Sequence, residues 1–177
     1  MKQDPKQVAA ILERYRPRGV KLDLGCGSKK MAGFVGLDRQ DLPGVDIVQD
    51  LTDIPWVLPD ECAEIAIASH IVEHINPANE GFLKFMDEVW RVLIPEGRFL
   101  IVAPYAGSAG YWADPTHVNG VTENTWLYFD PLEAHSNGLF YAFYKPKPWK
   151  IVQNTWTLEG NLEVELQKRR EDPSYGK

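Results

Sequence analysis

Two cysteines, Cys26 and Cys62, are all that the 177-residue sequence contains, and no C-x-x-C pair is formed. A disulfide framework and a cysteine zinc site are therefore excluded as the basis of the fold, and reduced thiols in a cytoplasm are the expectation. Long hydrophobic runs are missing too. The longest apolar stretch, 99–106, contains Pro104 and falls far below the roughly 18 residues that a membrane span needs. The opening MKQDPKQ has no apolar signal segment. Basic charge is in deficit: 19 Lys+Arg stand against 25 Asp+Glu, a net charge of −6, which argues against a protein built to hold nucleic-acid phosphates. Repeats and low-complexity tracts are absent as well. What is present is 44% hydrophobic, enough for one core and one domain over 1–166, followed by the polar tail QKRREDPSYGK at 167–177.

The chain opens on a helix signal: Asp4 as N-cap, Pro5 at the first helical position and Gln7 as capping-box partner. Val8, Ile11, Leu12 and Tyr15 then share one helical face, and the helix is expected to end near Arg16. Short runs rich in Val, Ile, Leu and Phe follow at 20–24, 34–37, 45–48, 64–68 and 98–103, a pattern of buried parallel strands. Between the last two lies a helix expected to be capped by Asn76, opened by Pro77 and stopped by Pro95-Glu96-Gly97. Phe82, Phe85, Met86, Val89, Trp90 and Leu93 recur along it at helical spacing. The stretch 104–120 lacks periodicity and reads as a long functional loop, followed by a short helix at 123–128. Segments 150–158 and 162–166, joined through Glu159-Gly160-Asn161, read as an antiparallel hairpin closing the sheet. The fold class is α/β with a mainly parallel sheet.

Leu22-Asp23-Leu24-Gly25-Cys26-Gly27-Ser28 places a strand directly before two glycines, where a ligand can approach the backbone. Lys30 occupies the position of the third glycine of the dinucleotide fingerprint, which disfavours NAD or FAD. Lys29 and Lys30 do not complete a phosphate-binding loop and are expected to be solvated. The acids Asp23, Asp38 and Asp50 at successive strand ends suit a cationic ligand better than a pyrophosphate. With LDLGCG at 22–27, GLD ending in Asp38, QDL at 49–51, SHIVEHI at 69–75 and EVWRVLIPEGRFLIVAP at 88–104, the sequence resembles the class I S-adenosylmethionine-dependent methyltransferases over roughly 20–102. The resemblance implies a single Rossmann-like domain using S-adenosylmethionine. It further implies that Asp23, Gly25, Cys26 and Gly27 border the methionine part, Asp38 the ribose, and Asp50 and Leu51 the adenine. Ser69 and His70 are implied on the methyl-donor side. One departure stands out: the connections at 25–33 and 38–44 are too short for full crossover helices, so the first helices are expected to be shortened or missing. A partner subunit could then supply part of the cofactor's wall.

Asp114-Pro115-Thr116-His117 resembles a stretch that covers the acceptor pocket in some methyltransferases. His117 is either a general base or a residue that ties down its own loop. Tyr105 and His70 are the other catalytic candidates. Tyr105, Tyr111 and Trp112 offer aromatic faces to an acceptor or to the sulfonium. His70, Glu73 and His74 have metal-ligand spacing, but the family resemblance accounts for them without metal, and no metal is expected. The expected activity is transfer of a methyl group from S-adenosylmethionine to an O or N nucleophile of a small-molecule acceptor. No nucleic acid partner and no membrane span are expected. The alternative is a non-catalytic S-adenosylmethionine-binding or interaction module.

Overall fold

In the computed structural model, residues 3–135 and 137–176 are described; Met1, Lys2 and Lys177, at the ends of the expected domain and tail, lie outside them. Helix α1 (Pro5–Tyr15) forms where the capping signal places it. The Asp4 carboxylate accepts the Lys6 amide at 2.9 Å, and Val8, Ile11 and Leu12 are buried. Strands β1 (Lys21–Leu24), β2 (Val35–Asp38), β3 (Ile47–Val48) and β4 (Ala63–Ser69) follow, then helix α2 (Gly81–Val92) and strand β5 (Leu93–Pro104). Short helices α3 (Ala109–Ala113) and α4 (Leu139–Tyr144) precede the hairpin of β6 (Trp149–Trp156) and β7 (Asn161–Lys168). The seven strands form one sheet in the order β3-β2-β1-β4-β5-β7-β6. All pairs from β3 to β5 are parallel, while β7 inserts antiparallel between β5 and β6. No helix intervenes between β1 and β2 or between β2 and β3, as the short connections require.

The first strands read as continuous apolar runs because they are covered: Leu22, Leu24, Val35, Leu37 and Ile47 are wholly buried, with no solvent face to alternate toward. Phe85, Met86 and Val89 of α2 and Phe99 and Ile101 of β5 belong to the same cluster. Phe85 meets the rings of Trp56 and Phe99 at centroid distances of 5.9 and 6.2 Å. Burial of such a ring contributes about 1.5–3 kcal/mol.

Four expectations about the elements need correction. Helix α2 starts at Gly81 rather than Pro77. Asn76 accepts the Ala78 amide at 2.8 Å in a local side-chain turn ahead of a 3-10 turn at Ala78–Glu80, in which Asn79 and Glu80 are left-handed (φ 54° and 62°). Gly81 permits the tight entry, because a Cβ there would lie 2.3 Å from the Asn76 carbonyl oxygen. At the other end Pro95-Glu96-Gly97 does not separate helix from strand but bulges within β5, between the pairs Ala63 with Leu93 and Ile65 with Arg98. Residues 104–120 are more ordered than a bare loop: Ser108 caps α3, and Ala106 donates to the Val121 carbonyl at 2.9 Å. The polar tail begins later than Gln167, since Gln167 and Lys168 are paired in β7. Lys168 is 4% exposed, its ammonium 2.7 Å from the Leu93 carbonyl and 3.9 Å from the Trp90 ring centroid. A charge can be kept there because carbonyl and π-face replace water.

Helix α4 has no counterpart in the sequence reading. Leu139-Phe140-Tyr141-Ala142-Phe143-Tyr144 is apolar all round, so periodicity does not mark it; Gly138 and Lys145, both left-handed, delimit it.

Candidate active site

The turn after β1 is fixed by backbone groups of β2. Gly25 and Cys26 both donate to the Leu37 carbonyl, at 2.8 and 3.1 Å, and Gly27 donates to Asp38 Oδ2 at 2.9 Å. Gly25 has φ +70°, and a Cβ there would lie 2.0 Å from Ile71 Cδ1, so no larger residue fits between β1 and the turn after β4. A Cβ at Gly27, in contrast, would meet nothing within 4 Å. The second oxygen of Asp38 accepts the Gln40 amide at 2.9 Å. Asp50 closes its own turn by accepting the Thr52 amide and hydroxyl at 2.9 and 2.7 Å. Leu51 is held from behind, its carbonyl receiving the Trp56 indole N–H at 3.1 Å.

These strand ends surround a cavity of about 520 Å³. Of the residues named from the sequence, Gly25, Gly27, Asp38, Asp50, Leu51 and His70 line it. Asp23, Cys26 and Ser69 do not. Asp23 is buried and accepts the Met31 amide at 2.7 Å, which closes the short connection to β2; burial pushes its carboxyl above the usual range, partly opposed by that amide and by Lys30. Cys26 lies against Gly36, and burial, with Asp23 and Asp38 nearby, pushes its thiol up to about 11. Ser69 is exposed at the end of β4.

Lys30 is not solvated as expected. Its ammonium sits 2.7 Å from Asp46 and 3.3 Å from the Tyr15 hydroxyl, anchoring the glycine loop to β3 and α1. Burial alone would lower its pKa, but the hydrogen bonds to Asp46 and Tyr15 outweigh burial and raise it.

The histidines converge on one acid. His70, with φ +56°, places Nδ1 3.3 Å from Glu73 Oε1 and lines the cavity. Glu73 is 0% exposed, and neither carboxylate oxygen has a hydrogen-bond partner, the His70 contact being outside hydrogen-bond geometry. Burial raises its pKa, opposed by its own backbone and by His70, His74 and His117. The Glu73 carbonyl receives the amides of Val118 and Asn119 at 2.9 and 3.0 Å, which docks the 114–119 loop onto the 72–74 turn. His117 thereby stacks edge-on against His74, with centroids 4.9 Å apart. Its Nδ1 lies 2.6 Å from the Tyr111 carbonyl.

Thr116 and His74 line the cavity, whereas His117 does not. Tyr105 stacks on Trp156 and also stands outside the lining. Of the three catalytic candidates only His70 faces the cavity. Leu42 and Ile75 add apolar wall, while His74, noted from sequence for its metal-ligand spacing, and Thr116, noted within the Asp114–His117 stretch, were not expected in the cavity lining.

Residues 28–101 match the methyltransferase-domain family. In that segment the chain is similar to methyltransferase domains, and its fold is the one that S-adenosylmethionine-dependent methyltransferases share. No curated protein matches it. Among solved structures, a SAM-dependent methyltransferase from Archaeoglobus fulgidus superposes with a TM-score of 0.60 at 18% identity, covering 93% of this chain and 95% of that one. One from Aquifex aeolicus gives 0.55 at 17%, covering 94% and 100%. The Burkholderia thailandensis 1,6-didemethyltoxoflavin-N1-methyltransferase, solved with 1,6-didemethyltoxoflavin and S-adenosylhomocysteine, gives 0.58 at 15%, covering 94% and 78%. At such identities these likenesses establish the fold. Among the chain's described residues no helix is long and apolar enough to cross a membrane.

Proposed function

We propose that the cavity holds S-adenosylmethionine and that the methyl passes to an O or N nucleophile of a small-molecule acceptor. The donor chemistry is a methyl carbon on a sulfonium, attacked by a lone pair while the C–S electrons return to sulfur. The observation that carries this reading is Asp38: it stands at the end of β2 in the cavity wall, fixed by Gly27 and Gln40, with lone pairs left to accept both hydroxyls of a ribose. Gly27, whose Cβ position is open, leaves room for the methionine part beside Gly25, with Asp23 and Cys26 supporting their loop from behind. Asp50 and Leu51 frame the adenine, and His70 lines the side after β4, with Ser69 just outside it. A cavity of about 520 Å³ lies within the size range of small-molecule sites.

Catalysis in this reading rests on alignment of nucleophile and methyl, worth up to about 7–11 kcal/mol. His70 is the lining imidazole that can take the acceptor's proton. The net charge of −6 favours a metabolite over a nucleic acid. The free thiols of Cys26 and Cys62 fit a cytoplasmic site of action. Incubation with S-adenosylmethionine and a metabolite extract, read by mass spectrometry, tests the proposal. It predicts a small metabolite gaining one methyl as S-adenosylhomocysteine forms; methylation of added RNA or DNA alone would contradict it.

A further inference from the structure

We infer that Glu73, His74 and His117 form a binding site for a first-row transition-metal dication, with Zn2+ as the best match to two imidazoles and one carboxylate. The three side chains each bring a ligand atom to within 4.8 Å of the others. Zinc bonds of about 2.0–2.2 Å draw such a set together by a small rotation of His74, whose ring is exposed. The strongest support is Glu73 itself. A carboxyl group with no exposure and no side-chain hydrogen bond on either oxygen has its desolvation cost opposed only in part, by its backbone and the nearby imidazoles, and a metal ion would offset the rest.

The ring nitrogens are prepared for the same role. A carbonyl only accepts, so the 2.6 Å contact with Tyr111 puts the proton of His117 on Nδ1 and leaves Nε2 a lone pair. For His74 the order runs through the loop: Thr116 Oγ1 donates to Asp114 at 2.7 Å, and His74 Nδ1 lies 3.2 Å from the same oxygen. With the hydroxyl proton committed to Asp114, His74 donates from Nδ1 and its Nε2 also keeps a lone pair. Both imidazoles are thus oriented through Nδ1, as metal-binding histidines are. The Asp114-Pro115-Thr116-His117 motif supplies one ligand and the support of another, which explains its residue types better than a base aimed into the cavity.

His74 and Thr116 also line the cofactor cavity, so the metal site shares a wall with it. A bound dication there would hold an oxygen or nitrogen of the acceptor and lower its pKa. That role rests on the methyl-transfer reading, whereas metal binding does not.

The test uses the full chain after chelator treatment, titrated with Co2+ followed by visible absorption and with Zn2+ in competition. One Co2+ per chain, displaced by Zn2+ and not by Mg2+, is expected. His74→Asn and His117→Asn should each weaken binding about 100-fold or more, and Thr116→Val about 10–100-fold, with His135→Asn unchanged. If Glu73→Gln does not fold, the His74→Asn variant decides, because that side chain is exposed. Absence of stoichiometric Co2+ and Zn2+ binding by the folded chain, or equal binding by wild type, His74→Asn and His117→Asn, would overturn the site. S-adenosylhomocysteine binding, measured separately on the chelated protein, tells loss of the metal proposal from loss of the methyltransferase reading.

Discussion

The Asp38 carboxylate accepts the Gly27 amide at 2.9 Å, so the acid at the end of β2 holds the glycine turn after β1 in place. It shapes the cavity floor and forms part of its wall. Asp38→Ala should therefore lower affinity for S-adenosylhomocysteine more than Asp50→Ala does. A lost charge-assisted hydrogen bond costs about 1.5–3 kcal/mol, roughly 10–100-fold in Kd. Asp50 closes only its own turn, through Thr52, whereas Asp38 also holds the glycine turn of the cavity. Calorimetric titration of both variants gives the order; the reverse order would mean that the ribose and adenine ends are exchanged.

Glycine substitutions should separate space from conformation. In Gly25→Ala the new methyl meets Ile71 at 2.0 Å, and both stability and cofactor binding should fall. Gly27→Ala meets nothing and should cost only the left-handed backbone penalty, about 1–2 kcal/mol. Ile71→Ala combined with Gly25→Ala should recover part of the stability, measured by urea unfolding.

In the core, Phe85→Ala should cost about 3–5 kcal/mol, because the ring is wholly buried between Trp56, Phe82 and Phe99. Urea midpoints with an unchanged slope would confirm a packing loss. A cost below 1 kcal/mol would show that this cluster collapses around the gap.

Alkaline stability should carry the signature of Cys62. Burial leads the forces that push its thiol from 9.0 up to about 11, with Asp60 adding and Arg91 opposing. Between those values the unfolded chain loses the proton while the native chain keeps it, so stability falls as pH rises from about 9 to 11. Lys168 runs the other way: burial lowers its pKa, so the native chain sheds that proton first and stability rises with pH below 10.5. The Cys62→Ala difference curve isolates the thiol and should rise with pH across that window; a flat difference would show that the thiol ionises alike in both states.

Much of this architecture is legible in the sequence where the signal is local. Asp4-Pro5 marks the start of α1, the short runs before Gly25 and Asp38 mark strands, and the brief connections announce the missing helices. The turn at Glu123–Tyr128 also lies where it is expected, as a 3-10 helix. The reading weakens where distant contacts decide. Pro95-Glu96-Gly97 becomes a bulge because β4 pairs on both sides of it. Lys30 is drawn from solvent by Asp46, and His117 is turned toward Tyr111 and His74 by amides that dock on Glu73. The proximity of His117 to Glu73 is set by loop docking and has no marker in the spacing of either motif.

If His70 takes the acceptor's proton, His70→Ala should leave cofactor affinity nearly unchanged and slow the chemical step about 10²–10⁴-fold. Single-turnover kinetics with the identified acceptor measures this. A loss confined to acceptor KM would assign His70 to binding instead.

The most direct test is calorimetric titration of the purified chain with S-adenosylhomocysteine, paired with thermal unfolding. One ligand per chain is predicted, weakened by Asp38→Ala, with stabilisation of about 2.7 kcal/mol at 100 times Kd. A folded chain that shows neither heat nor a thermal shift at millimolar S-adenosylhomocysteine would contradict the assignment of this cavity.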